Sequence, residues 1–329
     1  MSSHGAALTH RPPSRREALK SCATHLAAAA LLAPAARVRA WAQPADARIV
    51  AREPFGYLQQ VADGVWALIS TPLQGPRTTL SNGGLIAGRA GVVAIEGFAD
   101  PAGAAWLAAR CRELTGRPPT HVVVTHYHAD HSNGVAGYVS GTEGPSMRTT
   151  AITRDLAVEK NQPAEPARVT ALQHVEIVPP DRASTLDLGD RRITITPRRG
   201  HTASDLSLEI TSPDVVFCGD LVWNAMFPNY VDAIPSELSK AARALRRDAA
   251  GTIYVPGHGA VAGRADVDRY LTLLDEVEQG ARRSRDQGKS AAEGAAAFSL
   301  PPALGTWALF GPTFFERAFT AWYRELGTR

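Results

Sequence analysis

Cysteine is scarce in this chain: Cys22, Cys111 and Cys218 are the only three in 329 residues. That scarcity excludes a disulfide-stapled scaffold. Cys111 falls on an expected helix and Cys218 on an expected strand, so two buried thiols are expected in preference to a bridge. Long apolar runs are also missing. The longest weakly apolar stretch, residues 22–36, is interrupted by His25 and Pro34, too short to span a bilayer, and no stable membrane insertion is expected. No short tandem repeat is present, which argues against a solenoid. Neither sign of charge dominates, with 35 Lys and Arg against 32 Asp and Glu and a formal charge of +3. A composition of 44% hydrophobic and 20% charged residues excludes a disordered or fibrous chain and supplies a sizeable core.

The small excess of positive charge is unevenly placed. Arg11, Arg15, Arg16, Lys20, Arg37 and Arg39 stand against Glu17 alone in the first 42 residues. Beyond Ala42 lie 29 of the 35 basic and 31 of the 32 acidic groups, so the remainder is slightly acidic. The segment Ser14-Arg15-Arg16-Glu17-Ala18-Leu19-Lys20 resembles a twin-arginine export signal, followed by the apolar run and the small-x-small site Ala40-Trp41-Ala42. The expected organisation is a signal peptide over 1–42, a linker or N-terminal segment over 43–60 and one domain over 61–329. The resemblance implies the twin-arginine machinery as a partner and a periplasmic or secreted destination. An acidic remainder without a basic stripe argues against nucleic acid as a partner.

The pattern then turns to short apolar runs punctuated by glycine. Residues 61–70, 80–88, 91–97, 121–125, 172–179, 191–196, 206–211, 215–218 and 252–255 read as strands. Residues 101–114, 236–249, 264–285 and 313–326 read as helices, the first opened by Pro101. The stretch 141–166, rich in Pro, Gly, Glu and Thr, reads as a loop. This order predicts an α/β sandwich of two halves, with several strand ends meeting at one rim.

Beyond Ala42 there are seven histidines, and three fall in Thr125-His126-Tyr127-His128-Ala129-Asp130-His131 directly after a strand. In extended backbone His126 and His128 point the same way and can reach one ion, while a following turn aims Asp130 and His131 at a second position. His121 and His174 have no ligand spacing around them. At this point the sequence resembles the metallo-β-lactamase superfamily, whose H-x-H-x-D-H signature is joined by matching companions in order. These are Gly200-His201-Thr202, Val216-Phe217-Cys218-Gly219-Asp220 and Pro256-Gly257-His258-Gly259. The resemblance implies the four-layer αβ/βα sandwich of that family and a dinuclear ligand pattern like that of glyoxalase II. His126, His128 and His201 would hold one ion, Asp130, His131 and His258 the other, and Asp220 would bridge them. Asp130, His201 and Asp220 are the candidate catalytic groups. Two zinc ions per chain are expected, on nitrogen and oxygen donors that also accept iron or manganese. A water activated by the pair would attack a small ester, thioester, lactone or lactam.

His128 stands where diiron redox relatives carry Glu, which favours hydrolysis. Asp220 stands where many true β-lactamases of the fold carry Cys or Ser. Cys218, two residues earlier, is a minor alternative ligand. A β-lactam-specific enzyme and a non-catalytic metal-binding accessory protein are the alternative functions. Trp223, Asn224, Asn229 and Tyr230, with Phe227 nearby, are candidates for a small-molecule substrate wall or equally for core at the rim. Asn82 and Thr79 could line its floor, and Arg198 with Arg199 could attract an anion.

Overall fold

In the computed structural model, which describes residues 48–139 and 144–327, the chain opens with three antiparallel strands, β1 (Arg48–Glu53), β2 (Gly56–Ala62) and β3 (Val65–Ser70). The expected signal over 1–42 lies outside the described residues. Residues 48–60, read as linker, pair as the edge of a sheet, and the single run 61–70 is a hairpin turning at Asp63-Gly64. Asp-Gly is a strong hairpin signal, and it divides this apolar run into two paired strands.

β4 (Gly83–Ala87) and β5 (Val92–Ile95) extend the sheet, and α1 (Pro101–Thr115) crosses over to β6 (His121–Val123). α1 begins where sequence chemistry permits: the Asp100 carboxylate accepts from the Ala102 N–H, Pro101 occupies the first turn, and Gly116 closes the helix at φ 76°. A four-residue turn of helix, α2 (Ala129–Ser132), then leads toward β7 (Ser146–Thr149), α3 (Ala151–Glu159), α4 (Pro166–Gln173) and β8 (Glu176–Ile177). The loop expected over 141–166 therefore contains a strand and a helix, the latter capped by Thr150 accepting from the Thr153 N–H. His174 follows α4 as its cap and is not in a strand.

The second half contributes β9 (Ser184–Asp187), β10 (Arg192–Arg198), β11 (Asp205–Thr211), β12 (Asp214–Trp223), α5 (Pro235–Leu245) and β13 (Ile253–His258). α6 (Arg264–Asp286), α7 (Ala291–Ala296) and α8 (Phe314–Leu326) complete it. One sheet has eight strands in the order β1 to β8, and the other has five in the order β13-β12-β11-β10-β9.

Alternation along the strands builds the layers. Val65, Ala67 and Ile69 of β3 enter a core shared with Ile193, Ile195, Leu206, Leu208 and Phe217 of the other sheet. Trp66 and Leu68 face the opposite way, against Leu107 and Cys111 of α1, Ala157 of α3 and Leu172 of α4. α5 and α6 pack on β12. The result is the expected αβ/βα sandwich. Cys111 and Cys218 are both buried and free, and no described helix is long and apolar enough to cross a membrane.

Candidate metal centre

Four strand ends deliver the candidate ligands to one rim. β6 runs out into His126, His128, Asp130 and His131; His201 lies between β10 and β11; Asp220 belongs to β12; His258 ends β13. His126 and His128 alternate along the chain as extended backbone requires, and their ring nitrogens meet, with His126 Nε2 3.1 Å from His128 Nδ1. His201 Nε2 lies 2.9 Å from the same Nδ1. On the other side His258 Nε2 is 3.3 Å and His131 Nε2 3.7 Å from Asp130 Oδ2.

Asp220 stands between the two groups and divides its oxygens. Oδ2 is 3.1 Å from His201 Nε2 and 3.9 Å from His126 Nε2. Oδ1 is 3.1 Å from His131 Nε2 and 3.4 Å from His258 Nε2. All seven residues named from the sequence are thus brought together as two ligand groups. Cys218 is buried on β12 with its thiol directed to the Val216 carbonyl, and belongs to neither group.

The hydrogen bonds behind the rings fit them to cations. Thr125 Oγ1 donates its one proton to Glu96 Oε1 at 2.6 Å. It therefore accepts from His126 Nδ1, 3.0 Å away, which leaves Nε2 unprotonated toward the cluster. His128 Nε2 lies 2.9 Å from Asp232 Oδ2; a carboxylate only accepts, so Nδ1 of His128 is likewise a bare lone pair. Two bare lone pairs 3.1 Å apart repel unless a cation lies between them. Asp220 Oδ1 and His131 Nε2 are buried without a hydrogen-bond partner of suitable geometry, as ligand atoms are before an ion is counted.

The electrostatics divide in the same way. Burial holds His126 well below the usual histidine range and His201 down to about 3, so both are neutral donors. Burial also opposes charge on His131 and His258, but the surrounding carboxylates outweigh it. His131 is raised well above the usual range by Asp220, Glu96 and Asp130, and His258 is pushed up to about 9 by Asp220 and Asp130. The same attraction overcomes burial to hold Asp220 and Asp130 below the normal carboxylate range. The carboxylate side of the cluster demands positive charge, which protons meet when no ion does.

Two supporting groups carry no reading in the sequence, and a third takes a place other than the one expected. Glu96, at the end of β5, takes Thr125 N–H and Oγ1–H and lies 3.0 Å from His131 Nδ1. It holds a left-handed φ of 75°, strain of the order of 1–3 kcal/mol that surrounding contacts must offset. A lone acid inside the otherwise apolar run 91–97 is its only signal. Asp232 had none. Its carboxyl is held down to about 2, chiefly by the bond from His128, with burial opposing and a bond from Tyr127 assisting. Asn82 is the third: Oδ1 accepts from Ser70 N–H at 2.9 Å, and Nδ2 donates to the Pro256 and Gly259 carbonyls at 2.9 and 2.7 Å. It fastens the first sheet to the turn that carries His258 and is not an open floor to a cleft. Thr79 is also buried, bonded to Ser70.

The expected substrate residues are largely committed to the fold. Trp223 stacks on His258 at 4.0 Å between ring centroids and donates to the Asp220 carbonyl. Asn224 donates to the Ala260 carbonyl and accepts from Arg269. Asn229 accepts from Val231 N–H and Arg317, and Tyr230 is buried against Phe227. Arg198 pairs with Glu209 at 3.1 Å, while Arg199 is exposed.

Asp232 offers a direct check on the assignment of His128. Asp232→Ala is expected to weaken metal binding about 10- to 100-fold, because the ring loses the acceptor that fixes its tautomer. Competition with a chelator of known affinity measures the change, and unaltered binding would remove Asp232 from the centre.

Comparison with known proteins agrees with this geometry. Residues 80–258 match the metallo-beta-lactamase superfamily. A metallo-beta-lactamase type 2 of Bacillus cereus is 31% identical over 160 residues, covering 47% of this chain and 57% of the relative. A hydroxyacylglutathione hydrolase of Mesorhizobium japonicum is 27% identical over 161 residues, covering 49% and 55%. The chain spans about half the length of the curated relatives it matches. An inverting sec-alkylsulfatase from Pseudomonas sp. shares the fold with a TM-score of 0.66 at 15% identity, over 83% of this chain and 50% of the other.

Proposed function

Because this chain belongs to the metallo-beta-lactamase superfamily, we propose that it is an exported dinuclear zinc hydrolase of small esters, thioesters, lactones or lactams. The observation that carries the reading is the division of the Asp220 carboxylate between two complete ligand groups. A ligand missing from either group would favour a retired, non-catalytic site. A zinc pair, when bound, supplies Lewis acidity at a carbonyl oxygen and makes water acidic enough to act as a nucleophile near neutral pH.

The chain's own groups do the rest. His126, His128 and His201 present neutral nitrogens to one position; Asp130, His131 and His258 define the other. Thr125, Glu96 and Asp232 fix the rings so that little reorganisation is needed when substrate arrives. Asp130 is the carboxylate of the cluster with solvent access, its side chain 25% exposed against 3% for Asp220. It is therefore placed to take a proton from the attacking water and pass one to the leaving group.

The test combines metal content, turnover and location. Purified protein should carry two zinc ions per chain by elemental mass spectrometry and hydrolyse members of a panel of esters, thioesters, lactones and β-lactams. In cells it should be found outside the cytoplasm, and replacing Arg15 and Arg16 by Lys should retain it inside. Iron in place of zinc, or a metal-loaded protein inert to the whole panel, would overturn the reading. Turnover of β-lactams alone would restrict the function to that class.

A further inference from the structure

The metal cluster opens to solvent at two side chains. Asp130 is 25% exposed and His128 15%, while the other five ligand side chains are 3% exposed or less. The Asp130 opening has an apolar neighbour at the surface. On the Asp130 side stands Phe310, half-buried, its ring edge-on to His258 with centroids 5.6 Å apart and planes at 83°.

Phe310 is held there by more than one contact. Ala308 N–H donates to the Ala225 carbonyl at 2.9 Å, and Phe227 N–H donates to the Ala308 carbonyl at 2.8 Å. These bonds lay the segment along the chain that follows β12. The Phe310 ring stacks on Phe314 at 6.3 Å and 18°. The segment lies beyond residues 80–258, which match the superfamily.

Two cations tethered near Asn229 and Asn224 are already engaged. Arg317 donates to Asn229 and lies over the Phe314 ring at 5.2 Å. Arg269 donates to Asn224 and lies over the Trp307 ring at 5.1 Å. A carboxylate on a substrate would compete with these contacts, whereas a hydrocarbon chain gains by covering exposed apolar surface.

Resting on the hydrolase reading above, we propose that Phe310 selects substrates whose acyl group is uncharged and apolar. Acetyl, butyryl and hexanoyl thioesters of one thiol test it. In the wild type kcat/KM should rise roughly tenfold from acetyl to hexanoyl, carried mainly by KM, since partial burial of each methylene adds binding. Phe310→Ala should remove that rise and Phe310→Leu should keep most of it.

Calorimetry of the zinc-loaded protein with acetate and hexanoate gives a readout independent of turnover. Tighter hexanoate binding that is lost in Phe310→Ala supports the apolar wall even if no thioester is hydrolysed, in which case only the hydrolase reading falls. Equal binding of the two acids, or a hexanoyl-to-acetyl ratio unchanged in Phe310→Ala, would overturn the proposal.

Discussion

Asp220→Ala should abolish the enzyme, lowering kcat/KM by about three orders of magnitude or more and leaving at most one ion per chain. Every other ligand serves one group, but Asp220 serves both, with Oδ2 3.1 Å from His201 and Oδ1 3.1 Å from His131. Its loss therefore removes a donor from each position and the negative charge that draws cations to both. Losses of about 10- to 100-fold follow removal of a group one bond further out, so loss of the shared ligand sets a higher floor. Asp220→Asn is the informative companion: it preserves volume and one oxygen donor but not the charge. Metal content separates the two contributions, since a charge requirement empties both positions in Asn as in Ala.

The same substitution has a pH signature in the metal-free protein. His258 is raised to about 9 in the folded state, with Asp220 the largest favourable influence against burial. Its bound proton contributes stability that is fully present below about pH 6.5, the unfolded value, and is lost as pH rises through 9. Denaturant unfolding of the metal-free wild type should thus show stability falling between pH 6.5 and 9. In Asp220→Ala that fall should be much reduced. An equal slope in the two proteins would remove Asp220 as the counter-charge of His258, and full metal content in the variant would remove it as the bridge.

The ligand set was legible in the sequence because metal chemistry restricts residue type so strongly. Few local arrangements place three imidazoles and a carboxylate within six positions, and the backbone alternation of His126 and His128 follows from strand geometry alone. The supporting groups were not legible, since each is a single ordinary residue made meaningful by tertiary contact. Asp232 reaches His128 across 104 positions and Asn82 reaches Pro256 across 174; neither carries a local pattern. Residues 48–60 failed for another reason. β1 is an edge strand, exposed or half-buried along its length, and so lacks the apolar signal by which a strand is recognised. Composition misled at 141–166, where turn-forming residues flank α3 and obscure the Thr150 cap that starts it. Phe310 could be read as apolar from sequence, but only the bonds of Ala308 to residues 225 and 227 place it beside the metal ligands.

Gly257→Ala, the addition of one methyl group, should lower activity by about 100-fold. A Cβ at residue 257 would lie 1.9 Å from Asp220 Oδ1, 2.8 Å from the Gly219 carbonyl carbon and 2.9 Å from the Asp220 nitrogen. β12 and β13 run parallel here with their register disturbed between Phe217 and Trp223, and the bridging carboxylate occupies the space a side chain would need. The Gly257 carbonyl is also held, accepting from Asn82 N–H at 2.7 Å, so β13 is not free to withdraw. The carboxylate must move instead, and a displacement of about 1 Å at a reacting centre costs on the order of 100-fold in rate. Overpacking adds roughly 1–3 kcal/mol of destabilisation. Gly251, in the turn just before β13, provides the control, because a Cβ there meets nothing within 4 Å. Gly251→Ala should leave melting temperature, metal content and turnover close to wild type, whereas Gly257→Ala should lower all three. If the two variants behave alike, close approach of β13 to the Asp220 carboxylate is not what the glycine of Pro256-Gly257-His258-Gly259 provides.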